Sequence, residues 1–156
     1  MCYSSFTQLS ALQKMTLHYK GVQIELLDGS DLSRSIYKNT KTKDILDNVF
    51  QILNLIERDY FAIYFINPQT DERVWLKSNK SVWTQIVRIL EPPYQLYFGV
   101  KFFPFEPMLL QEDLTIYMIY LQIRKEVKES RMICSENERA DILALILQAE
   151  GGKIFV

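Results

Sequence analysis

This sequence has little histidine, little cysteine and no long apolar run. His18 is the only histidine, so zinc sites and His-based triads have almost no material to work with. Cys2 and Cys134 are far apart and belong to no CxxC or Cys/His pattern, which points to a reduced cytosolic setting. No stretch approaches the roughly 20 apolar residues that a bilayer span requires. The opening "MCYSSFTQLSALQKM" has no basic n-region, no long apolar core and no Gly after Met, so neither a secretory signal nor myristoylation is expected. A charge excess is missing too: the net charge is −1, far too weak for nucleic-acid binding.

What is present suits a globular chain. Hydrophobic residues make up 48% of the 156 and charged residues 24%, enough to bury one good core or two small ones. The charge runs from +3 over residues 1–43 through −1 over 44–103 to −3 over 104–156, and the last step falls at "YFGVKFFPFEP" (97–107). Up to Phe103 that segment reads as a strand, and Pro104 and Pro107 then bracket a spacer before a helical pattern begins. The prolines fix φ and withhold ladder donors, so a sheet cannot run on into the helix.

Before that bracket the apolar period is mostly two. "VQIELLDGSDLSRSI" places Val22, Ile24 and Leu26 on one face, and Asp28-Gly29 supplies a tight turn, so a hairpin is expected. In "DILDNVFQILNLI" (44–56), Ile45, Val49, Ile52 and Ile56 repeat at helical spacing with Thr42 as the candidate N-cap. "YFAIYFI" suits a strand covered on both faces, "RVWLK" a short strand, and "VWTQIVRIL" a short helix. In "YQLYFGVKFF", Leu96, Phe98, Val100 and Phe102 share a face. Trp75 and Trp83 are expected to be core anchors. The order of elements predicts a β-grasp, or ubiquitin-like, unit.

Beyond the bracket the period becomes 3.6. In 108–130, Leu110, Leu114, Tyr117 and Leu121 form one stripe, with Ile116, Tyr120, Ile123 and Val127 beside it. Ser135 and Glu138 fit a capping box that opens a second helix, and Gly151-Gly152 is expected to end it. The carboxylates Asp47, Glu57, Asp59, Asp71 and Glu72 are scattered. No nucleophile–base pair, phosphate loop or cysteine-centred phosphatase signature is visible, so neither catalytic nor metal-binding residues are expected.

Five blocks, "LNLIERDYFAIYF", "WLKSNKSV", "YFGVKFFPFEP", "EDLTIYMIYLQIRKEV" and "ILALILQAEGG", resemble in order the signature blocks of the FERM domain. That domain occurs in band 4.1 and ezrin–radixin–moesin proteins and in several non-receptor tyrosine phosphatases. The resemblance covers roughly residues 20–152. It implies an α+β chain: an N-terminal extension over 1–19, a ubiquitin-like first lobe over 20–103, and over 104–156 part of an all-α second lobe similar to acyl-CoA-binding protein. Departures are visible. Ile116 stands where family members carry an Arg, "ESRMIC" replaces a "GRLPC"-like block, and "GGKIFV" follows "LQAE". The expectation is therefore a fragment or short isoform whose second lobe stops partway.

The resemblance also implies a function. The chain is expected to be a non-catalytic adaptor without a cofactor, at the cytoplasmic cell cortex on the inner face of the plasma membrane. Its implied partners are cytoplasmic tails of membrane proteins, phosphoinositides and cytoskeletal proteins, and not nucleic acid. In ezrin-like members, lysines of a "WLKxNKK" block contact a phosphoinositide headgroup; "WLKSNKS" here supplies Lys77 and Lys80, with Ser81 in place of the next lysine. The alternative is the N-terminal piece of a FERM-containing tyrosine phosphatase.

Overall fold

A computed structural model describes residues 19–151. Cys2, His18 and Gly152 lie outside the described residues. The chain forms two compact units, the first running to Phe105 and the second beginning at Glu106.

The first unit is a five-stranded mixed sheet with helices. β1 (Tyr19–Glu25) and β2 (Asp31–Tyr37) form the expected antiparallel hairpin. Its turn needs one residue at positive φ, and Gly29 supplies it at +85°. The Asp28 carboxylate accepts bonds from the Ser30 hydroxyl at 2.6 Å and the Ser30 amide at 2.9 Å, which together hold its pKa below the ordinary aspartate value. α1 (Thr42–Leu53) follows, then β3 (Phe61–Ile66), β4 (Arg73–Trp75), α2 (Val82–Ile86) and β5 (Tyr94–Val100). The strand order is β2-β1-β5-β3-β4. β1 and β5 pair in parallel, with Val22 opposite Tyr94, while β3 pairs antiparallel with both β5 and β4. This is the β-grasp arrangement: the first strand and the last meet at the middle of the sheet.

Alternation along the strands sends one set of side chains toward α1. Val22, Ile24, Ile36, Ile63, Phe65, Leu96, Phe98 and Val100 are all buried on that face. Phe98 is central, stacked on Phe61 at 5.3 Å between ring centroids and meeting Phe50 of α1 edge-on at 6.1 Å. Burying each such side chain contributes about 1.5–3 kcal/mol, so this layer dominates the stability of the unit.

Several sequence expectations shift here. The N-cap of α1 is Lys41, and Thr42 is its first helical residue. The helix stops at Leu53 because Asn54 takes the left-handed conformation, φ 55°, and its amide turns back to the carbonyls of Phe50 and Gln51. Ile52, in the last turn of the helix, and Ile56, beyond its end, are exposed, and the buried face is Ile45, Leu46, Val49 and Phe50. β5 ends at Val100, leaving Phe102 exposed beyond the strand. Trp75 and Trp83 are half-buried flanking residues and lie outside the core.

The second unit is helical, with a 3-10 turn at Pro107–Leu109, then α3 (Asp113–Lys128) and α4 (Glu136–Gly151). The capping box forms as expected: both the amide and the hydroxyl of Ser135 donate to the Glu138 carboxylate at 2.8 Å. The buried face of α3 differs from the expected stripes. Thr115, Met118, Ile119, Leu121, Gln122 and Val127 are buried, whereas Ile116 and Tyr117 are exposed. The two polar members are satisfied locally, Thr115 by the Glu112 carboxylate and Gln122 by the Glu126 carboxylate.

Candidate functional site

The β4–α2 loop, residues 76–81, carries Lys77 and Lys80. Leu76 anchors its start: the side chain is buried, and its amide donates to the Ile63 carbonyl at 2.9 Å. The chain then turns over Ser78 and Asn79, closed by the Lys80 amide on the Lys77 carbonyl at 3.0 Å. Both lysines are exposed.

A second loop, joining β2 to α1, is bonded to the first along its length. The amides of Thr42 and Lys43 donate to the carbonyls of Lys80 and Ser78, each at 3.0 Å. The Ser81 hydroxyl donates to the Lys38 carbonyl at 2.6 Å, the Val82 amide to the Thr40 carbonyl at 3.0 Å, and Lys41 and Ser81 form a β-bridge. Thr42 is buried at this seam although threonine is ordinarily an exposed residue, because its hydroxyl accepts a bond from within.

Gln85 of α2 supplies that bond. Its side-chain carbonyl accepts the Lys77 amide at 2.7 Å. Its amide nitrogen faces Thr42 Oγ1 at 3.1 Å, the Ser81 carbonyl at 3.2 Å and the Lys77 carbonyl at 3.3 Å. One side chain thus fixes both loops at once. Nothing in the sequence marks Gln85 for this role, since only the fold brings residues 42, 77 and 85 together.

Trp75, Lys77, Lys80, Gln85 and Ile89 line part of a depression of about 320 Å³. Both tryptophans of the first unit lie under cations. Arg73 lies over Trp75 and Tyr64, and the Lys20 ammonium lies over both Trp83, at 5.0 Å, and Tyr94, at 5.1 Å. Among the described residues no cluster of His, Cys, Asp or Glu could hold a metal ion, and no helix is long and apolar enough to cross a membrane. Cys134 is a half-buried free thiol in the second unit.

Comparison with known proteins converges on one family. Residues 24–88 match the FERM N-terminal domain. Human band 4.1-like protein 2 is 36% identical over 144 residues, which is 91% of this chain and 14% of that protein. Tyrosine-protein phosphatase 1 of Caenorhabditis elegans is 33% identical over 132 residues, 83% of this chain and 13% of that protein. The chain thus spans about a seventh of the length of these relatives. Among solved structures, the complex of the FERM and C-terminal domains of Drosophila Merlin superposes with a TM-score of 0.69 at 21% identity, over 87% of this chain and 45% of that one. The MyTH4-FERM MF2 domain of Dictyostelium discoideum myosin VII gives 0.65 at 19% identity, over 97% and 34%.

Proposed function

This chain belongs to the FERM family as the N-terminal part of a FERM domain, and on that premise we propose that it is a non-catalytic adaptor linking membrane proteins and anionic lipids to the cortical cytoskeleton. The observation that carries the reading is the likeness to band 4.1-like protein 2, which extends over 91% of the chain and so through both units. In this reading residues 20–103 are the first lobe and residues 104–156 part of the second. Lys77 and Lys80 meet the phosphates of a lipid headgroup: two ammonium groups three residues apart on a pinned loop can share one polyphosphate. The chain works at the inner face of the plasma membrane, and its protein partners are cytoplasmic tails.

The test is cosedimentation of the full chain with inside-out plasma-membrane vesicles, before and after protease stripping of the cytoplasmic tails. Binding that falls on stripping supports tail recognition, and binding to neither preparation would sink the adaptor reading. A second reading is favoured by the phosphatase relatives: the chain is the N-terminal piece of a FERM-containing tyrosine phosphatase. A transcript that continues from these codons into a phosphatase domain would decide for it, and one continuing into a cytoskeletal tail would decide against it.

A further inference from the structure

The seam between the two loops concentrates positive charge. Residues 38–43 and 77–81 are eleven positions holding five of the chain's eighteen Lys and Arg residues and none of its nineteen carboxylates. Lys38, Lys41, Lys43, Lys77 and Lys80 are all exposed, and none forms an ion pair among the described residues. The carboxylate that follows the seam in sequence, that of Asp44, accepts the Lys41 backbone amide at 3.1 Å. Like charges gathered this way repel one another.

The backbone at the seam narrows what the cluster can do. A helix N-terminus ordinarily offers free amides to an anion, but here those of α1 are taken. Thr42 and Lys43 donate to the opposite loop, and Asp44 donates to the Lys41 carbonyl at 3.1 Å. An anion at this place would meet ammonium groups on flexible stems above a rigid floor of paired backbone. That arrangement suits a ligand carrying several phosphates, whose charges outnumber any single lysine, and gives little grip on a lone carboxylate.

We propose that Lys38, Lys41 and Lys43 join Lys77 and Lys80 in one polyphosphate-binding site built wholly within the first unit. This rests on the headgroup reading of Lys77 and Lys80 and extends it to three lysines at the β2–α1 junction. The ligand chemistry is an inositol polyphosphate group, whether carried by a lipid or free in solution.

The experiment measures binding of the full chain to phosphatidylcholine vesicles containing phosphatidylinositol bisphosphate, with inositol trisphosphate as soluble competitor. Lys38→Gln/Lys41→Gln/Lys43→Gln and Lys77→Gln/Lys80→Gln should each weaken binding at least about tenfold, several-fold per lysine. The triple Lys→Arg variant at positions 38, 41 and 43 should bind as the parent does, and Lys101→Gln/Lys128→Gln should change nothing. Should the triple Gln variant fail to fold, the three single Gln variants carry the test, each weakening binding several-fold. Unchanged affinity in the 38/41/43 variants with loss in the 77/80 variant would overturn this inference and leave the headgroup reading standing. Unchanged affinity in the 77/80 variant would overturn both. Competition by inositol trisphosphate assigns the site to the headgroup itself. Equal binding to phosphatidylserine vesicles of matched charge would overturn polyphosphate recognition in favour of bare surface charge.

Discussion

Gln85 and Thr42, forty-three positions apart in the chain, share a side-chain hydrogen bond of 3.1 Å, and through it α2 holds the start of α1. Removing the Gln85 side chain should leave the Lys77 amide without its partner and the buried Thr42 hydroxyl with only its long bond to the Lys80 carbonyl at 3.4 Å. Gln85→Leu keeps most of the volume and removes the polar head, so the expected cost is about 1–3 kcal/mol. The Lys77 amide should also exchange markedly faster. Urea denaturation with residue-resolved hydrogen exchange checks both. Unchanged exchange at Lys77 would show that the loops hold without Gln85.

Phe98 touches both α1 and β3 through ring contacts, and its truncation opens the middle of the core. Phe98→Ala should destabilise the first unit by about 3–5 kcal/mol. Near-ultraviolet circular dichroism followed through a urea titration measures it. A loss below about 1 kcal/mol would place the folding core elsewhere.

The Ser135–Glu138 pair makes the start of α4 sensitive to acid. Bonds from the Ser135 amide and then its hydroxyl hold the Glu138 carboxyl below its usual pKa of 4.5. A carboxyl whose pKa is depressed by folding stabilises the fold fully above its unfolded value, and that contribution is lost as pH falls through the folded value. α4 should therefore fray as pH drops below about 4.5, with a carbon-13 titration of Glu138 reporting the midpoint. Ser135→Ala should speed exchange of the first α4 amides roughly fivefold, the scale of one lost cap. A Glu138 midpoint at the unperturbed value would contradict the pairing.

The exposed leucines of α4 predict self-association. Leu145 and Leu147 are 65% and 58% exposed, on a helix that is apolar in sequence on most sides. Exposed apolar surface of this kind marks an interaction site or an aggregation hazard. The chain should run above its monomer mass of 18.5 kDa in light scattering at tens of micromolar. Leu145→Lys with Leu147→Lys should shift it toward the monomer, and a monodisperse parent chain would refute the prediction.

Where local chemistry decides, the sequence was readable. The Asp28-Gly29 turn, the alternation of Val22 and Ile24, and the Ser135 capping box need only near neighbours. Reading failed where a neighbouring side chain or cap overrides the apolar period, and again where distant residues decide. Ile52 continues the apolar spacing of α1, yet Asn54 ends the helix and Ile52 faces solvent. Thr115 and Gln122 are polar and buried because Glu112 and Glu126 satisfy them. At the site, Lys77 and Lys80 stood out through a motif. Lys38, Lys41 and Lys43 join them only through backbone bonds to residues nearly forty positions away, which no periodicity encodes.

The pairing of Val22 with Tyr94 also sets an order of assembly. β1 and β2 leave the ribosome first and can zip as a hairpin, but their inner edge has no neighbour until β5 has been made. Until then β3 and β4 form a second detached ribbon, and the apolar faces of both pieces are open to other chains in the cell. Premature termination before Tyr94 would not yield a smaller version of the unit. It would yield two halves of a sheet with the strand that joins them missing.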